Sequence, residues 1–96
     1  MDEIITQSFN RSDYRLAILS FIGKYKNSYL NLIAKKMNLD ASNVKGALEG
    51  NKRYAYNLSL LNLKLIEKIK IGNYTYYNIT EYGKEVLKNF SEGDKN

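Results

Sequence analysis

Histidine and cysteine are both absent from the chain, which removes imidazole general-base catalysis, thiol nucleophiles, disulfides and zinc fingers together. A carboxylate-only metal site would need clustered acidic ligands, and the 10 Asp and Glu show no such spacing. No nucleophile–base pair stands out either, so neither an enzyme nor a metal or other cofactor is expected. The functional groups that remain are cations and hydrogen-bonding side chains, chiefly 15 Lys and Arg and 9 Tyr. Those groups suit binding better than bond-breaking.

The cations are unevenly placed. From Lys24 to Lys70 there are ten basic residues against Asp40, Glu49 and Glu67, a net +7, while the two ends together carry a net −2. A basic middle between mildly acidic ends is an electrostatic footprint for a polyanion. The plain alternative is a lysine-rich surface with no partner. Within the basic stretch, Val44, Ala47 and Leu48 mark the inward face of a helix over 41–49. Ser42, Asn43, Lys45, Gly46 and Glu49 are left for its outer face. Asn43 can pair with adenine, Lys45 can donate to guanine N7 or O6, and Gly46 admits close backbone approach. Ser42 and Asn43 are also placed for capping.

Backbone-phosphate candidates are looser. Ser28 and Tyr29 open a helix whose N-terminal amides favour an anion. Lys35 and Lys36 are either phosphate contacts or a solvated face. Lys52, Arg53 and Tyr54 put two cations and a phenol on one loop, and Lys68, Lys70 and Asn73 belong to a hairpin. The tyrosines are spread over every element, which argues against a single platform for stacking unpaired bases.

These residues need elements to position them. Hydrophobic content of 44% with 26% charged residues fits one soluble globular domain over 1–96, with 1–11 an arm or short extra helix and 91–96 a polar tail. Ser12 is placed to cap a helix over 14–25 whose inward face is Ile18, Leu19 and Ile22. Ser28 is placed to cap a second over 29–37, where Leu30, Ile33, Ala34 and Met37 form one stripe. The turn 38–40 leads to the helix over 41–49, with Asp40 as cap and Gly50 as a left-handed C-terminal residue. Together these form a helix-turn-helix pattern. A loop and a short helix over 58–63 follow. Then Gly72-Asn73 separates two runs rich in Ile, Tyr and Thr, a signal for a two-residue hairpin. That turn sets Ile71 opposite Tyr74, Ile69 opposite Tyr76, Lys68 opposite Tyr77 and Ile66 opposite Ile79. Ile69, Ile71, Tyr74 and Tyr76 then share an apolar outer face, a candidate partner contact. Thr80 caps a closing helix over 81–90, with Tyr82, Val86 and Leu87 inward. No apolar run approaches the ~20 residues a bilayer requires, and residues 1–10 lack a signal peptide's character, so the cytoplasm is expected.

Leu65-Ile66-Glu67, a short hairpin and Tyr76-Tyr77-Asn78-Ile79-Thr80-Glu81-Tyr82-Gly83 resemble the wing-to-last-helix passage of archaeal and bacterial winged-helix regulators. Asp40-Ala41-Ser42-Asn43-Val44-Lys45 is similar to the start of a recognition helix in that superfamily. The matches span 16–87, while the residues between Glu49 and Leu58 depart from the common multiple-antibiotic-resistance-type spacing. The resemblance implies an α+β winged helix-turn-helix with a two-stranded wing over 65–79. It also implies a homodimeric transcriptional regulator of double-stranded DNA, without metal or membrane. The alternatives are a DNA-binding adaptor of plasmid or phage partition or replication, and a winged-helix module for protein–protein contact.

Overall fold

The computed structural model of the chain describes residues 3–11, 13–52 and 55–93. Five helices and one antiparallel hairpin follow in the order α1 (Glu3–Arg11), α2 (Asp13–Lys24), α3 (Leu30–Met37), α4 (Ala41–Glu49), β1 (Ile66–Ile71), β2 (Tyr74–Ile79) and α5 (Glu81–Gly93). The fold is α+β, a helix-turn-helix followed by a hairpin wing and a closing helix. Ser12, the expected cap of α2, lies outside the described residues.

The inward stripes read from the sequence meet in one core. Ile18, Leu19 and Ile22 of α2, Ile33 of α3 and Val44, Ala47 and Leu48 of α4 are all buried there. Burying an aliphatic side chain of this size contributes about 1.5–3 kcal/mol, so this shared cluster is the main force joining the three helices. The N-terminal stretch takes part fully. Ile5, Ser8 and Phe9 of α1 are buried, and the Phe9 ring meets Phe90 of α5 edge-on at 4.7 Å. The Ser8 hydroxyl donates to Leu58 O at 2.6 Å, and the buried Arg15 guanidinium donates to Ser8 O at 3.0 Å.

Capping differs from expectation in three places. Tyr29, not Ser28, holds the N-cap position of α3, and it makes no side-chain cap bond. Ser28 is instead buried as a one-residue extension of the wing. Its N–H donates to Tyr77 O at 3.2 Å, the Tyr77 N–H donates back to Ser28 O at 2.7 Å, and its hydroxyl donates to Tyr25 O. Asp40 is the N-cap residue of α4, but its carboxylate makes no cap bond. Gly50 ends α4 with φ 85° and ψ 156°, outside the left-handed helical region, and a Cβ there would lie 2.6 Å from Tyr56 Cα. The left-handed cap belongs to α3, where Asn38 has φ 55° and ψ 49° and the Leu39 N–H reaches Ala34 O at 2.9 Å.

No regular helix forms over 58–63. A single 3-10 turn, Tyr56–Leu58, leads into irregular backbone whose amides serve α4. The Leu60 and Leu61 N–H groups donate to Ala47 O and Leu48 O, each at 2.9 Å. The end of α4 would otherwise leave those carbonyls unsatisfied, so this segment closes the helix as a capping strap.

The wing has the register that a Gly72-Asn73 turn dictates, from Ile71 opposite Tyr74 to Ile66 opposite Ile79. Gly72 carries the positive φ, 61°, at the first turn position. Thr80 then caps α5 in full, with the Gly83 N–H donating to its hydroxyl at 2.9 Å while that hydroxyl donates to Lys64 O at 2.7 Å. Tyr82 is exposed, not inward as expected. The buried position of this turn goes to Gly83, against which the Leu65 carbonyl is packed.

Candidate nucleic-acid interface

α4 packs against both α2 and α3, so more of its circumference is covered than a single stripe suggests. Gly46 is buried with Val44, Ala47 and Leu48, and therefore offers no backbone to an outer face. Ser42 and Lys45 are exposed, and Asn43 is half-buried at their edge. The outer face is thus narrower than the sequence implies.

Glu49 departs furthest from its expected place. Its side chain is only 15% exposed, because it turns toward the wing instead of outward. Oε1 accepts from Lys68 Nζ at 3.0 Å, and Oε2 accepts from Lys45 Nζ at 3.3 Å and from the Tyr77 hydroxyl. Burial pushes the Glu49 carboxyl upward. The hydrogen bonds from Tyr77, Lys68 and Lys45, with the charge of Lys45, outweigh burial and hold it below the usual carboxylate range. Burial and the same bond to Glu49 push the Tyr77 phenol well above its ordinary value. One half-buried carboxylate therefore gathers a cation from α4, a cation from β1 and a phenol from β2.

The remaining candidates fall into separate groups. Lys70 and Asn73 are exposed farther along the wing, and Lys52 is exposed just past α4. Asn51 Nδ2 donates to Ser42 O at 2.9 Å, so the start of this loop returns along α4. Arg53 and Tyr54 lie outside the described residues. Lys35 and Lys36 are exposed on α3, and Lys36 borders a groove with Lys24 and Phe21 of α2 instead of the outer face of α4. Ser28 is buried with its N–H and hydroxyl already committed, so it presents no group to a phosphate.

The tyrosines are less scattered than their sequence positions suggest. Tyr29, Tyr74 and Tyr76 meet on the outer face of the wing, with centroids 6.3 Å apart for Tyr29–Tyr76 and 6.4 Å for Tyr74–Tyr76. They border a groove with Leu30, Asn31 and Asn73.

The family model described as EarA-like matches residues 5–90, from the first buried residue of α1 to the ring of α5 that packs on it. The chain belongs to the EarA-like family. This EarA-like chain is 36% identical over 97 residues to an uncharacterized protein of Methanocaldococcus jannaschii, covering 98% of this chain and 87% of that one. No solved structure matches it.

Tyr77 of this EarA-like chain is a polar anchor that was not among the candidates read from the sequence. The signal was partly present, since the hairpin register already set Tyr77 opposite Lys68. The buried Arg15 carried no such signal, because its partner is a carbonyl seven residues earlier on another helix. Among the described residues there is no group of three potential metal-ligating side chains, and no helix is long and apolar enough to cross a membrane.

Proposed function

We propose that the protein binds double-stranded DNA sequence-specifically and regulates transcription as a cytoplasmic homodimer. In this reading α4 enters the major groove and the wing follows the backbone or minor groove. The observation that carries it is the placing of Lys45 on the exposed side of α4 next to Lys68 on the wing, both bonded to the Glu49 carboxylate. A helix-turn-helix reads bases with the N-terminal half of its second helix, and Ser42, Asn43 and Lys45 occupy that half. Lys45 donates to guanine and Asn43 reads adenine at the edge of the face. Lys52 with Arg53 and Tyr54, together with Lys68, Lys70 and Asn73, holds phosphates. Glu49 and Gly46 read no bases, since the first is occupied by the wing and the second is buried.

A single recognition helix reads few base pairs, so a second copy supplies the rest of the specificity. The aromatic outer face of the wing suits that contact. It lies opposite the strand face that carries Lys68 and Lys70, so a contact there does not cover those two cations.

The test is selection of binding sites from random duplex DNA, repeated with Lys45→Ala and Asn43→Ala. Each substitution should relax preference at one position of the selected site. Absence of duplex binding at low and moderate salt would overturn the reading. A strict monomer by light scattering, both free and on DNA, would overturn its dimeric form.

A further inference from the structure

We propose that Glu49 is a positioning residue that clamps the wing to α4 and so sets the spacing of Lys45 and Lys68 for a DNA duplex. The inference rests on the duplex-binding reading above. The clamp spans three elements: Glu49 is the last residue of α4, Lys68 lies on β1, and Tyr77 is its cross-strand partner on β2. A single carboxylate at 15% exposure therefore bonds both strands of the hairpin to the C-terminal turn of the recognition helix. The backbone of the wing is otherwise supported through β2, which packs on α2 and pairs with Ser28. Bonds from Glu49 to Lys68 and Tyr77 add side-chain ties to α4 from both strands, and these oppose movement of β1 relative to the recognition helix.

A competing account gives Glu49 no positioning role. It would be a counter-ion that screens two lysines from phosphate until DNA displaces it. The two accounts predict opposite signs for Glu49→Gln. Removing a negative charge from between two DNA-facing cations strengthens binding and steepens its salt dependence if screening is all that Glu49 does. If Glu49 positions the wing, the same substitution weakens binding although the chain becomes more positive. A glutamine amide keeps the size of the side chain, but only one of its two terminal atoms still accepts and the charge is gone, so it cannot hold Lys45, Lys68 and Tyr77 together as the two carboxylate oxygens do.

The experiment measures Kd over a range of salt for the full chain on a duplex selected from random DNA, with Glu49→Gln, Tyr77→Phe and the double variant. Tyr77→Phe opens one arm of the clamp without changing charge. The expected result is weakening by about tenfold for Glu49→Gln, equivalent to about 1.4 kcal/mol, and a smaller loss for Tyr77→Phe. The double variant should lose less than the sum, because both changes break one unit. Hydrogen exchange without DNA should speed up at the wing amides in Glu49→Gln while α2 keeps its protection. Should Glu49→Gln fail to fold, Tyr77→Phe still carries the test, and unchanged affinity in it overturns the clamp. Equal or tighter binding by a folded Glu49→Gln overturns the inference and leaves duplex binding standing. Absence of wild-type binding overturns both.

Discussion

Glu49 and Tyr77 make the protein's stability depend on pH at both extremes. Hydrogen bonds hold the Glu49 carboxyl below its ordinary range against the opposing effect of burial. A carboxyl depressed in the folded state adds stability above its unfolded pKa of about 4, and that stability is lost as pH falls through the folded value. Unfolding free energy should therefore drop as pH falls below about 4, and drop less steeply in Glu49→Gln. Tyr77 acts in the other direction, its phenol being raised by burial and by the bond to Glu49. Its contribution is complete below about pH 10 and is lost as pH rises toward the folded value, because the unfolded chain ionises first. Tyr77→Phe should flatten this alkaline loss, as followed by denaturant midpoints. Absorbance titration of the native protein should lose a late-titrating phenol in the same variant.

At the scale of elements, the start of α5 depends on two residues with different physical tasks. Thr80 caps the helix and also ties it to Lys64 O, so Thr80→Ala should lower stability by about 1–2 kcal/mol in chemical unfolding. Gly83 is required by proximity, since an added Cβ would lie 2.1 Å from Leu65 O. Backbone cannot yield as a side-chain tip can, so Gly83→Ala should cost about 3 kcal/mol, the upper end of overpacking penalties. The Thr-x-x-Gly run seen in the sequence is thus a cap followed by a close approach. α1 carries a further test of the element scale. Phe9 is 7% exposed and packs on Phe90, so Phe9→Ala should cost about 3–5 kcal/mol, readable as a lowered Tm. An exposed arm would show almost no change.

For the molecule as a whole, charge decides what can be measured. If duplex DNA is the ligand, each lysine that contacts a phosphate adds about one unit to the slope of log Kd against log salt. Lys68→Ala and Lys70→Ala should each reduce that slope by about one unit with little change in base preference. Lys36→Ala should leave it unchanged, because Lys36 borders the groove lined by Lys24 and Phe21 of α2 and not the side where Lys45 meets the wing.

Periodicity and turn chemistry were sufficient for the helices α2 to α4 and for the hairpin. The stripes at Ile18–Ile22, Leu30–Met37 and Val44–Leu48 predict the helices, and Gly72-Asn73 predicts the hairpin and its register, because each depends on residues close in sequence. Short-range rules failed where a residue's partner lay far along the chain. Ser28 looked like a helix cap until Tyr77 paired with it, and residues 58–63 looked helical until the carbonyls of Ala47 and Leu48 in α4 claimed the amides of Leu60 and Leu61. Asn27 and Asn78, 51 residues apart, bond each other beside that bridge, a contact no local pattern announces. The basic middle of the chain is written in composition alone. Whether its cations stand together was decided by tertiary structure, which brought Lys68 to Lys45 through a glutamate that the helical period had assigned to the outer face. A half-buried carboxylate needs donors, and only packing could deliver them from three elements at once.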